Sequence, residues 1–128
     1  MTVLNAAELF FLLVFWHALA DFAFQTDWLQ RAKNHRDPAG LDRADFGAPV
    51  WPLALCAHSA IHAGGVGVIS GSIALGVAEF AAHALIDYLK SERRFGIYAD
   101  QFLHLLCKGA WTAAAIWGAS GGSGGFAG

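Results

Sequence analysis

Four pairs of ionisable residues recur at i, i+4 spacing along this chain: His17 with Asp21, His58 with His62, His83 with Asp87, and Asp100 with His104. On a helix that spacing rotates a side chain by about 40° and lifts it by about 6 Å, so both members share a face and can reach one metal ion. Eight nitrogen and oxygen donors on four helices suit two divalent or trivalent metals, as in the dinuclear carboxylate sites of helix bundles. Mixed imidazole and carboxylate donors fit zinc, iron or manganese alike. In a hydrolytic reading, Asp21, Asp87 and Asp100 are ligands or bridges at the reacting centre, and Lys90 and Gln25, further out on the same faces, meet an anionic head group.

Such residues need rigid elements to hold them, and the hydropathy pattern supplies four. Apolar runs cover 3–24, 50–69, 73–89 and 99–118, each near the ~20 residues that a helix needs to cross a bilayer. The expected architecture is all-α, a four-helix integral membrane bundle of up-down topology over 1–118, followed by a Gly/Ser-rich flexible tail at 119–128. Composition agrees. The chain is 56% hydrophobic and 14% charged, against about 25% charged in ordinary soluble domains. Its net charge of −2 excludes the basic footprint of a nucleic-acid binder.

Seven of the eight Lys and Arg residues lie in or beside two polar segments, 27–45 and 91–98, among them Arg31, Lys33, Arg36, Arg43, Lys90, Arg93 and Arg94. Basic short loops stay in the cytoplasm, which puts both segments there and makes the chain a multi-pass membrane protein with its site toward the cytoplasmic side. No basic residue precedes the first apolar run, and Glu8 stands where a signal peptide would carry positive charge, so cleavage after Ala18-Leu19-Ala20 is not expected. Alternating helix directions then sort the pairs into layers. Asp21, His58, Asp87 and Asp100 form the layer nearer the cytoplasm, and His17, His62, His83 and His104 the layer one turn deeper. A third layer sets Glu79 against Lys108 as a buried ion pair.

Other residues carry simpler expectations. Trp28, Trp51 and Trp117 fall near helix ends, where aromatic rings anchor at the interface. Gly64, Gly65, Gly67, Gly71 and Gly76 surround the turn at 70–72 and allow close helix approach. Cys56 and Cys107 lack partner spacing and read as packing residues, His35 as a solvated loop residue, and Ser59 as rotated off the site face.

The combination His17-x-x-x-Asp21-Phe22-x-x-Gln25-Thr26-Asp27-Trp28, then Lys33, His58-x-x-x-His62, His83-x-x-x-Asp87-x-x-Lys90 and Asp100-Gln101-x-x-His104 resembles the small bacterial and phage membrane proteins grouped as domain of unknown function 3307. The likeness spans about residues 10–108. It implies an integral membrane protein of bacterial or phage origin, hence of a bacterial inner membrane, and supplies no activity.

The leading functional expectation is a metal-dependent hydrolase acting on membrane lipids or their head groups. Lewis-acid polarisation and activation of water are what a dinuclear centre contributes to such chemistry. Two other classes compete: a non-catalytic accessory subunit of a larger membrane complex or homo-oligomer, holding a haem or chlorin, and a metal or proton transporter.

Overall fold

The computed structural model describes residues 4–41 and 47–121; Arg43 and the tail from residue 122 lie outside them. Every regular element among the described residues is helical: α1 (Ala6–Ala18) running into a π turn (Leu19–Ala23), α2 (Asp27–Ala32), α3 (Pro38–Leu41), α4 (Trp51–Ser70), α5 (Ile73–Ser91) and α6 (Ile97–Gly121). Local chemistry sets the boundaries. Asn5 and Glu8 form a capping box at the start of α1, satisfying backbone donors that a helix leaves unpaired. Gly71 takes a left-handed φ of 68° to end α4, and the Ser72 side chain then accepts from Leu75 N–H to begin α5. Arg93 ends α5 with a φ of 57°, a conformation usually left to glycine.

The polar segment at 27–45 is not a plain loop. Thr26 accepts from Leu29 N–H and nucleates α2, and Arg31 pairs with Asp37 at 3.2 Å just before α3. Capping and this local ion pair override the turn signal of Asp37-Pro38. Helix α6 continues three residues past its expected end, to Gly121.

Each of the four long helices packs on two others, in the cyclic order α1, α4, α5, α6. Their directions alternate. At one end Leu9 and Leu13 of α1 meet Val66 and Ile69 of α4, Leu75 of α5, and Trp111 and Ala115 of α6. At the other, Trp51 at the start of α4 lies 6.0 Å from Tyr88 near the end of α5. The α4–α5 hairpin closes tightly because a Cβ on Gly76 would fall 2.9 Å from the Ala63 carbonyl. Gly65 likewise makes room for the Trp16 indole, which donates to the Ile61 carbonyl at 3.1 Å.

The burial pattern is inverted relative to a water-soluble protein. Val68, Ile73 and Trp117 are more than 80% exposed, while Lys108 and three of the histidines are at 0%. Along the long helices many large apolar side chains face outward while the histidines, Glu79, Asp87, Asp100 and Lys108 face inward beside the apolar cluster of Leu9, Leu13 and Val66. Two helices, Ala6–Ala23 and Trp51–Ser70, are long and apolar enough to cross a membrane. Helices α5 and α6, expected to do the same, carry Glu79, Asp87, Lys90, Asp100 and Lys108, charges turned largely into the shared interior. Cys56, expected to pack, is exposed on α4, and Cys107 is half-buried.

Candidate metal centre

Each long helix delivers one i, i+4 pair to the common axis. The deeper residues His17, His62, His83 and His104 form a closed quartet of imidazoles. Neighbouring centroids lie 5.2 Å (His17–His62), 3.6 Å (His62–His83), 4.3 Å (His83–His104) and 5.0 Å (His104–His17) apart. The diagonals are longer, 6.2 and 6.5 Å, so the rings sit at the corners of a quadrilateral.

The carboxylates lie above this quartet. Asp21 is held in the π turn, a feature often found at functional positions. Its Oδ1 lies 3.2 Å from His58 Nε2 and 3.0 Å from His62 Nε2, while its Oδ2 accepts from Gln101 at 3.0 Å. Asp87 approaches His58 and His83 at 3.6 Å and His104 at 3.4 Å. Asp100 lies 3.5 Å from His104 and 2.9 Å from Lys90 Nζ. Below the quartet, Lys108 donates to Glu79 at 2.5 Å and Trp111 donates to the other Glu79 oxygen at 2.6 Å. Glu79 also faces His83 Nδ1 at 3.5 Å, the position of an orienting carboxylate behind an imidazole ligand.

Three groups of donor atoms fall within 4.8 Å of one another: Asp21, His58, His62 and His83; His17, His83 and His104; and Asp87, Asp100 and His104. These groups could hold a metal ion. A satisfied hydrogen-bond network would leave few loose ends at such depth. Here, among the described residues, the Nδ1 atoms of His17, His58 and His62, both ring nitrogens of His83 and His104, and Asp100 Oδ1 are buried with no hydrogen-bond partner. His83 Nδ1 and Nε2 and His104 Nε2 lie 3.4–3.6 Å from carboxylate oxygens, in charge contact without a hydrogen bond, so these donors are grouped closely enough to hold a cation.

Gln25 lies beside the centre and donates to the Asp21 carbonyl at 3.1 Å, its Oε1 buried without a partner. Two participants were not assigned to the site from spacing. Lys33, read only as a topological charge and part of a family pattern, reaches across to pair with Asp87. Gln101 bridges His17 Nε2, at 3.0 Å, and Asp21. Like Lys33, it entered the sequence reading only as part of the family pattern Asp100-Gln101-x-x-His104. His35 corrects an expectation: it is not solvated but stacks on Tyr88 at 4.3 Å and pairs with Glu92. Arg36 grips the same carboxylate with two donors, at 3.2 and 2.5 Å. This hydrogen bonding, first from Arg36 and then from His35, lowers Glu92 to about 2 and raises the Arg36 guanidinium. Ser59 is fully buried, and its Oγ has no hydrogen-bond partner.

No protein-family model, curated protein or solved structure matches this chain.

Proposed function

We propose that this chain is a four-helix integral protein of a bacterial inner membrane, and that its polar axis binds two metal ions and hydrolyses an ester of a lipid or lipid head group. The observation that carries the reading is the set of buried ring nitrogens that make no hydrogen bond and lie beside three carboxylates. Two of the donor groups, Asp21 with His58, His62 and His83, and Asp87 with Asp100 and His104, have no residue in common. That division gives each of two metals its own protein ligands, and His17 joins them through the third group, which it forms with His83 and His104. Zinc, iron and manganese all accept these donors. The metals would supply Lewis-acid polarisation and nucleophile activation. The protein's own residues fix the carboxylates and hold the four imidazoles in a closed, buried ring.

Access favours hydrolysis over transport. Toward one end a cleft of about 170 Å³, lined in part by Gln25, Lys33 and Lys90, reaches the Asp87 carboxylate. Toward the other, the polar file stops at Glu79 and Lys108, and Leu9, Leu13 and Val66 close the axis. A conduit would be open at both ends. Imidazoles in mutual contact at 3.6–5.2 Å also leave no slot for a flat macrocycle among them. The resemblance to domain of unknown function 3307 supports the bacterial membrane setting, and the basic segments assign the cleft to the cytoplasmic face.

Elemental analysis of the detergent-purified chain tests the proposal. About two equivalents of zinc, iron or manganese are expected, with Asp87→Ala retaining less than half and losing hydrolysis. Protein without metal after exposure to all three ions would overturn it.

A further inference from the structure

Lys33 and Lys90 come from different elements, the end of α2 and the end of α5, yet each neutralises a carboxylate of the same donor group. Lys33 Nζ sits on Asp87 Oδ2, and Lys90 Nζ lies 2.9 Å from Asp100 Oδ2. Both lysines also line a polar cleft that reaches Asp87 of this group, together with Gln25, Asn34 and Ser91. Among the described residues that line the cleft the two ammoniums are the only cations, and Gln25 Oε1 is a buried acceptor without a hydrogen-bond donor.

We infer that Lys33 and Lys90 are exchangeable counter-ions: a metal bound at Asp87, Asp100 and His104 releases them into the cleft, where they bind the phosphate of the ligand. This deepens the hydrolase reading and rests on it. The electrostatics require an order. Before metal binds, an incoming phosphate meets two carboxylates whose charge is already matched by the two lysines, so no positive charge is left over for it. A divalent cation takes over both carboxylates and frees two ammoniums a few ångströms away, which can then form charge-assisted hydrogen bonds. Gln25 Oε1 adds selectivity for a hydroxyl donor on the same ligand. At about 170 Å³ the cleft is smaller than the ~300 Å³ at which pockets for drug-sized ligands begin. It therefore takes a phosphate-bearing head group, not a whole lipid.

The exchange gives an unusual sign to a simple substitution. Removing a lysine that competes with metal should tighten metal binding, whereas removing a merely structural ion pair should weaken or unfold the site. Linkage adds that phosphate and metal must strengthen each other's binding by the same factor.

The test uses the full chain in detergent, metal-free or loaded with Mn²⁺, titrated with inorganic phosphate and with dihexanoyl phosphatidic acid, read by calorimetry and by ³¹P line broadening. Phosphate should bind at least tenfold more tightly to the loaded protein. Lys33→Met and Lys90→Met should each bind Mn²⁺ more tightly than the parent while losing about tenfold in phosphate affinity, the scale of one hydrogen bond to a charged group. Lys33→Arg should restore phosphate binding, and Lys33→Gln replaces Lys33→Met if that variant does not fold. Tighter binding of the short-chain lipid would identify a lipid head group as the ligand, and equal binding a soluble phosphate. Phosphate affinity that ignores metal loading, or lysine variants that bind phosphate like the parent, would overturn the inference while leaving the metal reading intact. A parent chain that takes up no Mn²⁺, zinc or iron would overturn both.

Discussion

Glu79 on α5 and Lys108 on α6 are paired at 2.5 Å with side chains 1% and 0% exposed, directly beneath the imidazole quartet. An isolated charge at that depth is costly, and breaking a buried pair by removing one partner typically costs about 3–5 kcal/mol. Glu79→Gln should therefore destabilise the chain by that order, because Lys108 keeps its charge and loses its carboxylate. Replacing both by methionine should cost much less. Unfolding of the two variants in detergent, compared as a double-mutant cycle, measures the difference.

Two glycines on the same hairpin should respond with opposite signs. A Cβ at Gly76 would press on the Ala63 carbonyl at 2.9 Å and on Gly67 Cα at 3.3 Å, both backbone atoms that cannot step aside. Gly76→Ala should destabilise by about 1–3 kcal/mol through separation of α4 from α5. At Gly64 the added methyl meets nothing within 4 Å, so Gly64→Ala should stabilise α4 by about 0.5–1 kcal/mol. Equal effects in an unfolding titration would contradict the packing described here.

The clamp of Glu92 with Arg36 and His35 ties the segment after α2 to the end of α5 and predicts a pH response. Glu92 lies at about 2 against an ordinary 4.5, because its bound carboxylate form is favoured by Arg36 first and His35 second. A depressed folded value means the contribution is complete above pH 4.5 and is lost as the pH falls toward 2. Amide protection across Asp27–Ala32 should decline over that interval in the parent. In Glu92→Gln it should already be lower, and the part of the decline due to this clamp should vanish.

Membrane orientation has its own check. Reporter fusions after Asp45 and after Arg94 should read as cytoplasmic, and a fusion beyond Gly121 as exterior, because seven of the eight basic residues lie in or beside the two polar segments. A cytoplasmic C-terminus would invert the side from which the cleft is reached.

Much of the centre was legible in the sequence because helical periodicity is a local property. The i, i+4 spacing of His17 with Asp21, or of His83 with Asp87, puts each pair on one face whatever the helix packs against. Alternating direction then aligned the imidazoles in one layer, and the quartet of His17, His62, His83 and His104 lies there. The Glu79–Lys108 pair followed from the same one-turn offset. What periodicity could not reach were the contacts made by short, irregular segments. Lys33 sits 54 residues before Asp87, and its charge looked like one more cytoplasmic anchor until capping by Thr26 turned the segment into α2 and aimed the lysine inward. His35 was misjudged for the same reason, since its partners Tyr88 and Glu92 belong to the far end of α5. The π turn around Asp21 is likewise invisible to a 3.6-residue pattern, because it inserts an extra residue where the pattern assumes none. Helix faces are written in spacing. Which polar side chains close over them depends on how loops fold back across the bundle, and only tertiary packing decides that.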